Sequence, residues 1–231
     1  MSETKELMVQ YEVDGAQIKL TPSIVQNYIV GSDNGKITMP EFKFFTELCK
    51  ARKLNPFLKE AYCIKFGNQP AQIVVGKDAV LKRAILNPYF DGIESGVIVQ
   101  EIETGNIIDR KGTFYIKEEE RLVGGWAKVH RKNWTFPTYC SVSFDEVAQH
   151  RKDGSLNSNW QAKGATMVEK VAKVRALRET FIEDLGGMYE AEEMGVDLPK
   201  ENQPKQEIIQ QDEPIEVDFE PVDDVVTMDE I

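Results

Sequence analysis

The spacing of apolar positions changes along the chain, and each change predicts an element. Near the N-terminus LMVQYEV and then IKL suggest a short strand or an ill-ordered arm across residues 1–21. Thr21-Pro22 supplies an N-cap with proline at the first helical position, so a helix opens there toward Val30. Gly31 to Gly35 is a turn, and Thr38 with Glu41 has capping-box spacing. The helix Pro40–Arg52 follows, with Phe42, Phe45, Leu48 and Cys49 on one side, and Asn55-Pro56 stops it. Tyr62–Phe66, a Gly-Asn-Gln-Pro turn and Gln72–Val75 form a hairpin, and a helix runs from about Lys77 to Leu86. Gly96–Ser143 is β-rich. It folds back at Thr104-Gly105-Asn106, with further strands at Thr113–Lys117, Leu122–His130 and Trp134–Val142. Phe144–His150 resumes helix, and Asp153-Gly154 begins a loop.

The stretch from Asn159 to Met194 then reads as one amphipathic helix closed by the pair Gly186-Gly187. At 100° per residue Met167, Val171, Val174, Leu177 and Phe181 share a side, while Glu169, Glu179 and Thr180 take the opposite one. Lys170 and Arg178 fall inside the apolar sector. An unpaired buried charge is costly, so a face of this kind suits a wet groove floor that meets an anion. The alternative is that both cations snorkel at the edge of the stripe or pair with acids elsewhere.

The 231 residues, 41% of them hydrophobic, can bury one sizeable core. Cys49, Cys63 and Cys140 are odd in number and widely spaced, which predicts reduced thiols rather than a disulfide frame or a zinc site. No apolar run approaches the ~18 residues of a membrane span, and MSETKELMVQ has no apolar leader segment, so a cytoplasmic protein is expected. The net charge of −11 is unevenly placed. Residues 195–231 hold 2 Lys/Arg against 12 Asp/Glu, a net of −10, together with four prolines, and read as an acidic disordered tail. The remaining 194 residues carry 26 basic and 27 acidic side chains, and the span Trp126–Arg178 alone has 10 Lys/Arg against 4 Asp/Glu. The overall acidity therefore describes the tail and not the body. The predicted organisation is an N-terminal arm and first helix over 1–30, a core over 31–194 and the tail over 195–231.

Nucleotide-driven chemistry is not encoded. No GxxxxGK[ST] occurs, and the nearest fragment, Val75-Gly76-Lys77-Asp78, lacks the upstream glycine and the magnesium-holding hydroxyl. His130 and His150 are the only histidines, and neither has a ligand spacing. Asp145-Glu146 resembles a nuclease pair, but two acids opening a helix serve its dipole. No cofactor and no catalytic role are predicted. Instead there is a basic hairpin with interleaved aromatics. Trp126, Lys128 and His130 share one strand face, Arg131-Lys132-Asn133 make the turn, and Trp134 begins the return. Aromatic planes stack unpaired bases while cations follow phosphates. Alternatively, the two indoles are core and the charges solvate an edge strand. Hairpin and helix, both basic and both within residues 126–178, together favour a nucleic-acid groove.

Two blocks carry a resemblance. One is Cys49-Lys-Ala-Arg-Lys-Leu-Asn-Pro-Phe-Leu-Lys-Glu-Ala-Tyr62, followed by a hairpin and a Gly-Lys-Asp turn. The other is Trp160, Lys163, Met167, Lys170, Ala176-Leu-Arg178, Phe181 and Gly187-Met-Tyr-Glu-Ala-Glu-Glu193. Over residues 31–194 the chain resembles the RecT/Redβ family of phage single-strand annealing proteins, in particular the phage recombination protein Bet branch. It departs from the family pattern at Gly164, Ile182 and Leu86-Asn-Pro-Tyr89. The resemblance implies an α+β fold, a small antiparallel sheet packed on a long helix. It also implies ATP-independent annealing of single-stranded DNA into duplex by a homo-oligomer, as a ring or helical filament with DNA in a basic groove. Lys163, Lys170, Lys173 and Arg178 would line that groove, beside Trp126, Lys128, Arg131, Lys132, Trp160 and Arg175. The tail's aliphatic residues among acids suit a partner, for which a phage exonuclease or a host single-strand-binding protein is expected, and no membrane is implied. The alternative is a non-enzymatic acidic scaffold, a DNA mimic or a replisome adaptor.

Overall fold

Aspartate followed by glycine closes the first hairpin. Asp14 and Gly15 both have positive φ, 51° and 81°, the type I′ geometry whose twist matches two antiparallel strands. These strands are β1 (Val9–Val13) and β2 (Ala16–Leu20). The chain is described from a computed structural model over residues 7–30, 35–191 and 193–194. It divides into two units, Met1–Pro199 and Lys200–Ile231, and every described residue belongs to the first. The expected disordered tail lies outside the described residues, as does most of the Gly31–Gly35 turn.

Thr21 caps α1 (Pro22–Ile24) with its hydroxyl, and a π-helical turn continues it to Val30. Thr38 and Glu41 form the expected capping box at the start of α2 (Met39–Arg52), which ends with Lys53 in the left-handed region. Glu41 does more than cap. One carboxylate oxygen accepts from Lys65 Nζ at 2.6 Å and Ala71 N at 2.8 Å, and the other from Thr38 N at 2.8 Å. It thereby ties α2 to the hairpin of β3 (Ala61–Ile64) and β4 (Gln72–Val75). Burial would raise this carboxyl, but the Lys65 ammonium and the backbone donors outweigh it and hold the group at about 2 against an ordinary 4.5. A depressed folded-state value means the contribution is complete above about pH 4.5 and is lost as pH falls toward 2. Glu41→Gln is therefore expected to lower the melting temperature most at neutral pH. The gap to the parent should narrow progressively below pH 4.5 in thermal unfolding monitored by circular dichroism.

The helix α3 (Lys77–Leu86) leads into a four-stranded antiparallel sheet of order β6-β5-β7-β8. Its strands are β5 (Phe90–Glu101), β6 (Ile107–Lys111), β7 (Glu120–Arg131) and β8 (Thr138–Ser143). The fold is mixed α/β with small antiparallel sheets. Two strand expectations are corrected. Thr113–Lys117 is not a strand, because the Ile116 amide is taken by the Glu120 carboxylate at 3.0 Å instead of by a neighbouring strand. The return strand begins at Thr138 rather than Trp134, after Pro137, which has no amide to pair.

After the short α4 (Phe144–Val147), α5 (Ser158–Thr180) crosses the sheet against β7 and β8, capped by Asn157. Gly125 lets the two approach: a Cβ there would lie 2.6 Å from the Val168 carbonyl oxygen. The single helix expected from Asn159 to the glycine pair is a second correction of scale. Lys163 is non-helical (φ −135°, ψ 36°), α5 stops at Thr180, and α6 (Ile182–Leu185) is a separate turn. Glu169 and Thr180, placed on a polar face by the helical wheel, are buried, since α5 has the sheet on one side and α3 on another. Residues from β1 through Met188 share one apolar core, with Phe42, Phe45, Leu177 and Phe181 among its largest members. Cys49 and Cys63 lie in it with free thiols, and burial pushes both up to about 12, which keeps them protonated.

Candidate nucleic-acid interface

In β7 the side chains alternate. Ala127 and Val129 are buried in the core, and Trp126, Lys128 and His130 take the other face, as the period-two pattern predicts. Trp126 is only 8% exposed: it stacks on Tyr139 of β8, with centroids 6.3 Å apart, and donates Nε1–H to the Arg110 carbonyl at 3.3 Å. Lys128 stands between Glu94 and Tyr139 in the register. At the tip, Lys132 is exposed and its Nζ donates to the Pro88 carbonyl at 3.2 Å. Arg131 turns inward. Its Nη1 donates to Thr180 O at 2.7 Å, its Nε to Asn133 Oδ1 at 3.1 Å, and Nη2 lies 2.6 Å from Glu183 Oε1. Trp134 and Phe136, just beyond, are exposed.

On α5 the acids come from two directions. Lys173 pairs with Glu169 at 2.6 Å, one turn away, and Glu169 also accepts from Ser95 of β5. The other cations meet the segment that follows α6. Lys170 Nζ is 3.2 Å from Glu190, Arg178 makes a two-pronged contact with Glu193 at 2.5 and 2.7 Å, and Arg175 approaches Glu193 at 3.8 Å and Glu146 at 3.7 Å. Arg178 also donates to Met188 O at 3.2 Å and lies 4.6 Å from the Tyr189 ring centre. Burial alone would lower the Arg178 guanidinium, and the Glu193 carboxylate reverses that and raises it. The Tyr189 carbonyl accepts from Val75 N at 2.8 Å, so residues 188–191 line up beside β4.

Lys170 and Arg178 thus occupy the apolar sector as internal ion pairs, and the expectation of a wet, free cationic face there is corrected. The chain turns after α6, where Gly187 has φ 79° and Met188 N donates to Leu185 O at 3.1 Å, and beyond that turn Glu190 and Glu193 meet α5. Trp160 is corrected more strongly. At 1% exposure, packed edge-on against Phe144 with centroids 5.5 Å apart, it belongs to the core and has no face left for a base. Lys163 and Lys132 are exposed, Lys128 is half-buried, and Lys173 and Arg175 keep about a third of their side-chain surface. Sequence reasoning passed over Tyr89, Glu183, Glu190 and Glu193. Only the run of acids after Gly187 is a usable signal for the last two, and the sequence does not show that this run folds back onto α5. Among the described residues no group of three or more His, Cys, Asp or Glu is placed to hold a metal ion, and no helix is long and apolar enough to cross a membrane.

The sheet is backed by helices, and the hairpin carries exposed Lys132, Trp134 and Phe136 while α5 carries exposed Lys163. A model of the RecT family matches residues 18–209, and the chain belongs to that family. Its class is therefore that of the phage proteins that anneal single strands during DNA recombination. A comparison with curated proteins returned no match.

Proposed function

We propose that the protein binds single-stranded DNA and anneals complementary strands in phage homologous recombination, without ATP and as a homo-oligomer. The observation that carries this reading is the family match, which spans both the basic hairpin and the basic helix. Lys132 and Lys163, exposed at the hairpin tip and at the bend of α5, are the direct phosphate contacts, with Lys128 beside them. Lys173 and Arg175, whose side chains keep about a third of their surface, reach a phosphate from beside their carboxylate partners. Lys170 and Arg178 act from behind, holding α5 to Glu190 and Glu193. Oligomerisation as a ring or filament lays these contacts end to end along the strand. Residues 195–231, acidic with interspersed aliphatics, dock a recombination partner such as the phage exonuclease or a host single-strand-binding protein.

The test is sequential addition of two complementary oligonucleotides to the protein, with no nucleotide and no other protein present. A retained duplex complex is expected, and an acidic scaffold would not produce one. Affinity for the first strand should fall with salt at a log–log slope of roughly −0.7 per phosphate neutralised. An affinity unchanged between low and moderate salt overturns the cation-lined interface.

A further inference from the structure

Arg131 was expected to grip a phosphate, but its charge and its hydrogen bonds are already engaged by Glu183, the Thr180 carbonyl and Asn133. A guanidinium bonds through its edge and stacks through its faces. Three rings lie against it: Tyr89 at 5.4 Å, Trp134 at 5.1 Å and Phe181 at 5.2 Å from the guanidinium carbon. Phe181 is core, whereas Tyr89 and Trp134 are each 46% exposed. The two loops that carry the exposed rings are tied together. Lys132 donates its amide to the Tyr89 carbonyl at 2.9 Å, Tyr89 N donates to Asn87 Oδ1 at 2.9 Å, and Trp134 N donates to the Arg131 carbonyl at 3.0 Å. Two aromatic planes are therefore fixed at the surface before anything binds, so a ligand need not meet the cost of ordering them. An exposed cation, Lys132, stands in the same turn.

We propose that Tyr89 and Trp134 form a stacking site for the unpaired bases of single-stranded DNA, with Arg131 as the positioning residue that holds both rings. This rests on the single-strand reading above and adds to it the place where bases, rather than phosphates, are held. The chemistry selects unpaired strands: a base within a duplex already has both faces stacked, and a free one does not. Phosphate contacts alone give no such selection.

Trp134 reports on the site by itself, because Trp126 and Trp160, the other two indoles, are 8% and 1% exposed. The full-length protein is titrated with an end-labelled oligothymidylate and with an abasic strand of equal length. Label anisotropy follows binding, and iodide-accessible tryptophan emission follows Trp134. The oligothymidylate should shield Trp134 from iodide and bind at least about fivefold, and up to about 140-fold, more tightly than the abasic strand for one stacked base, with a larger ratio for two. Trp134→Leu and Tyr89→Leu should remove that preference without changing thermal unfolding. Arg131→Lys, which keeps the charge but not the planar fork, should reduce it as well, and the two ring variants carry the test should Arg131→Lys unfold. Equal binding of the two strands with Trp134 still open to iodide overturns the stacking site and leaves single-strand binding standing. Failure of the oligothymidylate to bind at all overturns the single-strand reading and this site with it. Shielding of Trp134 that grows with protein concentration in the absence of DNA assigns the rings to a contact between copies and also overturns the proposal.

Discussion

Arg178→Ala is expected to melt roughly 6–20 °C below the parent protein, because breaking one partner of a buried pair costs about 3–5 kcal/mol and a chain of this size loses about 2–4 °C per kcal/mol. The side chains of Arg178 and Glu193 are 17% and 8% exposed, and the contact is two-pronged. Removing the guanidinium leaves the buried Glu193 carboxylate with the Glu190 amide at 3.4 Å and Arg175 at 3.8 Å, neither of which replaces the two-pronged contact. It also removes the donor to the Met188 carbonyl and the cation against the Tyr189 ring. Arg178→Lys should recover only part of the loss, since one ammonium replaces neither the fork nor the stacking. Glu193→Gln should destabilise in the same sense by leaving the arginine unpaired. Differential scanning calorimetry of the three variants checks this. A melting point for Arg178→Ala within about 2 °C of the parent would mean that the pair contributes under ~1 kcal/mol and that Arg178 behaves as a solvent-facing cation.

The elements that could be read from the chain are those whose cause is local. The Thr38–Glu41 box, the Thr21-Pro22 cap and the Thr104–Asn106 turn each need only four residues or fewer, and each stands where the spacing placed it. Asp14-Gly15 was equally local and was passed over: the dipeptide marks a hairpin, and residues 9–20 form one. What could not be read depends on residues distant in sequence. Alternation at Thr113–Lys117 has the period of a strand, but the Ile116 amide goes to a carboxylate that also binds Arg110. The helical wheel sorted α5 into two faces, whereas its polar face is covered too, and Glu169 is held there by Ser95 and Lys173. The site follows the same rule. Lys132 is exposed, as its place in a turn suggested, while the partners of Lys170, Arg131 and Arg178 come from beyond a helix end that the apolar period did not mark. Arg131 itself acts as a C-terminal cap of α5 through the Thr180 carbonyl.

Trp160→Ala is expected to cost about 3–5 kcal/mol, a fall in melting temperature of roughly 6–20 °C, because a fully buried indole leaves a cavity that its neighbours only partly fill. Trp160 lies in the first turn of α5, where its amide donates to the Asn157 cap at 3.0 Å and its ring meets Phe144 at 76°. Phe144 is itself wedged against α5: a Cβ on Gly164 would come within 2.9 Å of its ring. The indole therefore joins α4 to the start of α5, and removing it should loosen the bend that presents Lys163. Trp160→Phe separates packing from any contact with DNA. It keeps one aromatic ring and removes an indole N–H that has no hydrogen-bond partner among the described residues, so the cost should be clearly smaller than that of alanine. Single-strand affinity of the phenylalanine variant, measured at 10 °C where both variants remain folded, should equal that of the parent. An alanine variant that melts with the parent yet binds single strands markedly more weakly would show instead that the indole leaves the core to meet a base.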